Sequence, residues 1–190
     1  KNPSHQLALA RVAINLKDLD KAATYLEEAI KLKNDYAPAR FLLVQVFDNQ
    51  GKLSEAIKRA EELAAFNVND IGVLFQLGFL YYKNSEFEKS RQVFERTVEL
   101  SQNYSNARYF LGLIYDGSTS LTTSERKAKA IEQFEKIAEL NPDNAEVKQI
   151  LSNLKNKKPA LTGIAPPAPQ NRAEAPVSEG TKTPVQKLQK

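Results

Sequence analysis

The chain contains no cysteine, no methionine and no tryptophan, and a single histidine. Without cysteine there is no disulfide, no thiol nucleophile and no thiolate metal site. That absence suits an oxidising compartment without requiring one. The lone His5 has no second histidine and no aspartate at ligand spacing, so no metal donor set begins there. Seven glycines form neither a phosphate-cradling loop nor a strained nucleophile turn. No run reaches ~18 apolar residues, so no stretch reads as a membrane-spanning helix. No secretory leader opens the chain either. The missing methionine and the abrupt entry Lys1-Asn2-Pro3 predict a fragment or processed product of something longer, which could not display such a leader.

Charge is scarce where a nucleic-acid surface would need it. The net charge is +4, but from Lys155 onward there are seven Lys/Arg against two Asp/Glu, which leaves twenty against twenty-one in the rest. The basic balance belongs to the tail and not to a folded face, so nucleic acid is disfavoured as a partner. The carboxylate pairs Glu27-Glu28 and Glu61-Glu62 lie among lysines and read as solvated helix faces. No constellation of catalytic residue types exists, so no enzyme, cofactor or metal is expected in this segment.

What the chain has in quantity is helical periodicity. Between Ile71 and Tyr104, apolar residues recur at three- and four-residue steps through Leu74, Leu77 and Tyr81, then through Phe87, Phe94 and Val98. The polar run Lys83-Asn84-Ser85-Glu86 interrupts them where a turn between two antiparallel helices belongs. The pattern repeats every 34 residues. Leu9, Leu43, Leu77 and Leu111 share one place. Ala10, Val44, Gly78 and Gly112 share the next, and Ala13, Phe47, Tyr81 and Tyr115 a third. In the second helices, Ala22, Ala56, Ser90 and Ala130 correspond, as do Leu26, Ala60, Phe94 and Phe134, once a six-residue insertion at Gly117–Thr122 is allowed for. A fixed period of this length marks a repeat array.

The skeleton Leu111-Gly112-x-x-Tyr115…Ala130-x-x-x-Phe134…Pro142 resembles the tetratricopeptide repeat. Two departures stand out. The large residue expected three before the leucine is Gln6, Arg40, Leu74 or Arg108, and the closing proline survives only at Pro142. The resemblance implies an all-α fold: a right-handed α-solenoid of four TPR helix pairs, about 3–36, 37–70, 71–104 and 105–142. A capping helix at 144–156, with Val147, Ile150, Leu151 and Leu154 on one face, completes a domain 1–156. Ser4 is the expected cap of the first helix, Asp18 or Asp20 of the second. Gly51 should close a turn in a left-handed conformation, and Thr122-x-x-Glu125 reads as a capping box. From 157 to 190 the periodicity stops and prolines accumulate, which predicts a disordered, Pro-rich, basic tail. Pro166-x-x-Pro169 in it fits a minimal proline-rich ligand, though a plain extended tail is the simpler reading.

The same resemblance implies that the first helices line a concave groove and that the segment is a protein–protein interaction module. Its fifth positions are Leu7, Phe41, Phe75 and Tyr109. Its ninth are Arg11, Gln45, Phe79 and Leu113, and its twelfth Ile14, Asp48, Tyr82 and Asp116. The partner-binding groove is therefore expected at Leu7, Arg11, Phe41, Gln45, Asp48, Phe75, Phe79, Tyr82, Tyr109 and Leu113, holding a peptide or helix. These stand apart from the expected core at Leu9, Leu43, Leu77 and Leu111. The alternative is that the aromatics stack on one another, on a neighbouring repeat or on the chain's own tail. The lysines and asparagines with which some family members clamp a chaperone's C-terminal carboxylate are absent from Leu7, Arg11, Leu42, Gly72 and Gln76, so that use is not expected.

A second resemblance rests on the LGLIYD start of the last unit and the exit Lys158-Pro159-Ala160-Leu161-Thr162-Gly163-Ile164. It is to the C-terminal repeat domain of bacterial O-antigen ligase/polymerase-like membrane proteins. It implies a non-catalytic envelope domain tethered by membrane helices before Lys1. The compartment stays open between the cytoplasm and, on that resemblance, the membrane-associated bacterial envelope; self-association stays open too.

Overall fold

The computed structural model of the chain describes residues 2–165. Among them are helices only: α1 (Pro3–Asn15), α2 (Leu19–Leu32), α3 (Ala37–Asn49), α4 (Leu53–Phe66), α5 (Ile71–Lys83), α6 (Phe87–Leu100), α7 (Ser105–Gly117), α8 (Thr123–Leu140) and α9 (Ala145–Lys155). The chain divides into two compact units, Lys1–Arg96 and Thr97–Lys190. Residues 166–190, with the expected disordered tail and its Pro166-x-x-Pro169, lie outside the described residues.

In the first unit, α1 packs on α2, α2 on α3, α3 on α4 and α4 on α5. Alanines make this close approach practicable. Ala10, Ala22, Ala29, Ala39, Ala56 and Ala60 are all buried, with Leu26, Leu43 and Leu63 filling the space between them. The turns inside the hairpins use one conformation at one register: Lys17, Gly51 and Ser85 have φ of 60°, 73° and 61°. In each, the next N–H donates to a carbonyl five residues back, from Asp18 to Ala13, Lys52 to Phe47 and Glu86 to Tyr81. Only Gly51 adopts this left-handed backbone without steric cost.

Two expectations shift, for Ser4 and Leu9, and one narrows to a single residue. Asn2, not Ser4, caps α1, its side chain accepting from the Ser4 N–H at 2.9 Å. Of the two acids offered for α2, Asp18 is the cap, accepting from the Lys21 N–H. Leu9 is not core but 45 % exposed. Its counterpart Leu43 is buried where α3 meets α2, whereas among the described residues no helix lies before α1 to cover Leu9.

The second unit repeats the design on larger side chains. α7 packs on α8 and α8 on α9, around Phe110, Leu111, Phe134, Val147, Ile150 and Leu154. The six-residue insertion is divided. α8 is 18 residues long where α6 has 14, and the loop before it takes the remainder. Thr122 and Glu125 form the expected capping box at its start.

The unexpected residue three before the repeat leucine finds its explanation here. Arg108 donates through Nε to the Gln102 carbonyl at 2.7 Å and through Nη1 to Gln133 Oε1 at 2.6 Å. It therefore ties the start of α7 to the preceding turn and to α8. Arg40 makes the equivalent bond to the Asn34 carbonyl at 2.7 Å. Burial pushes the Arg108 guanidinium below its ordinary value, with Glu132 and Glu139 opposing. Ser90 stands where an alanine is usual and is fully buried, its hydroxyl satisfied by donation to the Gly78 carbonyl at 2.7 Å.

The loss of regular structure expected from Lys157 onward does not begin there. Residues 157–165 fold as successive turns, with Thr162 N–H donating to the Pro159 carbonyl and Ile164 N–H to the Leu161 carbonyl. Ala160 is 2 % exposed.

Candidate interaction surface

The first helices of the unit Lys1–Arg96 present their expected groove positions unequally. Arg11 on α1 and Gln45 on α3, one repeat apart, are both exposed. Phe41 and Asp48 on α3 and Tyr82 on α5 are half-buried. Asp48 is paired with Lys83, whose ammonium also lies over the Phe79 ring, 5.9 Å from its centroid. Tyr82 meets the Phe87 ring edge-on at 5.6 Å, and burial raises its phenol pKa.

The other five are buried, and for them the expectation of a separate groove ladder needs correction. Leu7, Phe75 and Phe79 in this unit, and Tyr109 and Leu113 in the second, are each less than a tenth exposed. Phe75 stacks on Phe79 at 6.2 Å and leans on Phe94 at 5.8 Å. Tyr109 makes the same contact in the next register, edge-on to Phe134 at 5.5 Å, while its hydroxyl donates to Glu146 Oε1 on α9 at 2.8 Å. The reason is local. Phe75 and Tyr109 sit one turn before Gly78 and Gly112, and the phenylalanine of the second helix drops onto each glycine. Its ring gives the fifth-position side chain an inward surface to pack against. Phe75, Phe79 and Tyr109 thus make contacts among the chain's own aromatics.

A second concavity, about 450 Å³, lies between α2 and α4 and is lined by Glu27, Lys31, Asn34, Arg40, Arg59 and Glu62. Its charges largely answer one another: Arg59 pairs with Glu55 and Glu62, and Arg40 is committed to Asn34.

Sequence reasoning missed a third place. In the second unit, Asp116 at the twelfth position, Lys127 on α8 and Asn153 on α9 converge on the backbone of residues 158–162. The one available signal was Asn153, a polar residue in register with the apolar stripe Val147, Ile150 and Leu154.

Among the described residues no three His, Asp or Glu side chains are grouped to hold a metal ion. No described helix is long and apolar enough to cross a membrane.

Stacked antiparallel helix pairs at a constant 34-residue step, with small residues at the crossings, define an all-α helical-repeat protein. Two family models, both described as tetratricopeptide repeat, match residues 13–74 and 75–145, and the chain belongs to that family. Such repeats generally mediate protein–protein interaction with protein or peptide partners, on a fold that is typically a non-catalytic scaffold. Among curated proteins, the chain is 23 % identical over 181 residues to the human protein O-mannosyl-transferase TMTC3. It is 24 % identical over 192 residues to the TPR repeat-containing protein YpiA of Bacillus subtilis. It covers 19 % of the first and 44 % of the second, so it spans less than half the length of either. Among solved structures, MamA from Desulfovibrio magneticus RS-1 aligns with a TM-score of 0.71 at 19 % identity, over 82 % of this chain and 84 % of that one. YrrB, described as a TPR protein with an unusual peptide-binding site, aligns at 0.67 and 19 % identity, over 88 % and 82 %. These relatives carry the repeat resemblance; none of them carries the one to O-antigen ligases and polymerases.

Proposed function

We propose that the chain is a scaffold, without chemistry of its own, that binds an extended or helical peptide along the first helices of the unit Lys1–Arg96. The observation that carries this is the row of accessible groove positions at repeat spacing: Arg11 and Gln45 exposed, Phe41, Asp48 and Tyr82 half-buried. Polar groups at that spacing can meet a peptide's backbone and charges, and the exposed parts of Phe41 and Tyr82 supply apolar anchors. Full burial of such a side chain contributes about 1.5–3 kcal/mol, so two that are already half-covered supply less. The peptide-binding description of YrrB, a protein of the same fold, supports this reading.

The buried residues Leu7, Phe75 and Phe79 of the same unit take part as the floor that sets the shape of the surface. The test is selection from a displayed peptide library against the purified chain. The triple substitution Arg11→Ala, Gln45→Ala and Tyr82→Ala should lose the selected peptides while the thermal midpoint stays within a few degrees. Unchanged binding by the triple variant would rule this surface out.

A further inference from the structure

Residues 158–162 lie outside every helix, yet they are held from three helices at once. Asp116, at the C-terminal end of α7, accepts from the Ala160 N–H through Oδ2 at 2.7 Å. Lys127 of α8 donates to the Lys158 carbonyl at 2.6 Å and to Asp116 Oδ1 at 2.6 Å. Asn153 of α9 donates from Nδ2 to the Ala160 carbonyl at 2.9 Å and to the Thr162 carbonyl at 2.8 Å. Both backbone polar groups of one residue, Ala160, are thus captured, together with a carbonyl on either flank. Between them the Ala160 methyl is sealed to 2 % exposure.

The three receptor side chains are themselves sheltered. Asp116 and Lys127 keep 10 % and 14 % of their side-chain surface, and Asn153 is buried. Charge-assisted bonds in such a setting are stronger than their solvated equivalents. The contacts read backbone and one small side chain, so their specificity is for a turn-forming segment with alanine-sized bulk at one place. A turn that merely ended α9 would need none of them. That job is done by Lys157 and Lys158, whose N–H groups return to the Leu154 and Asn153 carbonyls.

We propose that Asp116, Lys127 and Asn153 form a second peptide-binding site, which the chain fills with its own Lys158–Thr162, and which takes a turn-forming peptide of the same kind when that segment leaves. The proposal deepens the peptide-binding reading above but uses different residues, so failure here leaves the row on α1, α3 and α5 standing. A tethered segment only a few residues from its site acts at an effective concentration in the millimolar range. It therefore masks the site from an outside ligand without any movement of the helices.

The test uses the full chain and a labelled, end-blocked peptide of residues 158–164, followed by fluorescence anisotropy. Ala160→Glu places a charge in the sealed methyl pocket and expels the tethered segment. This variant should bind the peptide at least about tenfold more tightly than the unaltered chain. Adding Asp116→Ala should abolish that gain, while Arg11→Ala with Gln45→Ala should leave it intact. An Ala160→Glu chain with unchanged helicity that binds no more tightly than the parent overturns the proposal and leaves the segment a fixed seal. A second measurement covers the case in which Ala160→Glu does not fold. Amide exchange at Ala160 in the unaltered chain should proceed by an opening separate from that of Ile150 in α9. Exchange at both amides only through global unfolding would mean the segment never leaves, which also overturns the proposal.

Discussion

Phe134 lays its ring against Gly112 so closely that a Cβ built there would stand 2.6 Å from Cε2. Phe94 does the same to Gly78, at 2.8 Å from Cε1. Both rings are fully buried and have little room to retreat. The glycine costs its helix about 1 kcal/mol of propensity relative to alanine, and it is kept because the crossing has no room for a Cβ. Gly112→Leu should therefore lower stability by about 1–3 kcal/mol through overpacking. Chemical denaturation reads this directly, and an unmoved midpoint would show the crossing to be looser than drawn.

The other two repeats solve the same crossing with different volumes. Where the second helix carries Phe94 or Phe134, the first carries glycine. Where it carries Leu26 or Ala60, the corresponding residue is Ala10 or Val44, and all four are buried. Large faces small at each level, so the pair and not the single residue is the unit of packing. Ala60→Phe alone should destabilise, and so should Val44→Gly. Made together, they recreate the combination of the third repeat. The double-mutant cycle should show favourable coupling on the order of 1 kcal/mol or more. Additive losses would mean that the register linking residues 44 and 60 is wrong.

This explains what could be read in advance and what could not. Helix pairs, turns and crossing positions follow from periodicity, because spacing alone decides which residues share a face. The left-handed turn at Gly51 and the Thr122–Glu125 cap follow from residue chemistry in the same way. Burial at the fifth position does not. Whether Phe75 or Tyr109 faces a groove or folds inward depends on the space left by a ring on another helix, over a glycine three residues away. Leu9 carries the same lesson. Its spacing marks it as core, but burial needs a second surface that no spacing guarantees. Residues 158–162 were read as the start of a tail because proline and short polar residues lack periodicity. Their order comes from Asp116, Lys127 and Asn153, all distant in sequence.

The inward position of the aromatics has a measurable consequence. Tyr109→Ala should cost about 3–5 kcal/mol, as truncation of a buried ring does. Tyr109→Phe should cost only about 0.5–1.5 kcal/mol, the loss of its bond to Glu146. Phe75→Ala should fall with the larger value. If either alanine variant melts with the parent protein, the ring is a surface anchor after all, and the groove expected from the sequence regains that residue.

Arg108 and Arg40 hold the same backbone place in their repeats but not the same environment. Arg108 bonds to the Gln102 carbonyl and to the buried Gln133. Arg40 bonds to the Asn34 carbonyl and to Asn34 Oδ1, both exposed pairings. Arg108→Ala leaves Gln133 without this partner inside the fold, a loss of about 1–3 kcal/mol. Arg40→Ala should cost less, because water can replace the guanidinium at Asn34. Equal losses, measured by urea denaturation, would contradict this account of the two arginines.

The capping box of α8 makes stability there depend on pH. Thr122 Oγ1 accepts from the Glu125 N–H, and the Glu125 carboxylate accepts from the Thr122 N–H at 2.9 Å and from its hydroxyl at 2.6 Å. Those bonds to Thr122 hold the Glu125 carboxyl below the usual glutamate range. A carboxyl that is harder to protonate folded than unfolded contributes stability at neutral pH and loses that contribution as pH falls through the acidic range. Glu125 is solvent-exposed, so its share is modest and sensitive to salt. Thr122→Ala should cost about 0.5–2 kcal/mol at neutral pH. The gap between parent and variant should narrow as the pH falls through the acidic range and Glu125 becomes protonated. In a Glu125→Gln background the gap should no longer change with pH. Thermal midpoints of the four proteins across that range decide the matter, and a gap that widens on acidification would mean that the carboxylate opposes the cap.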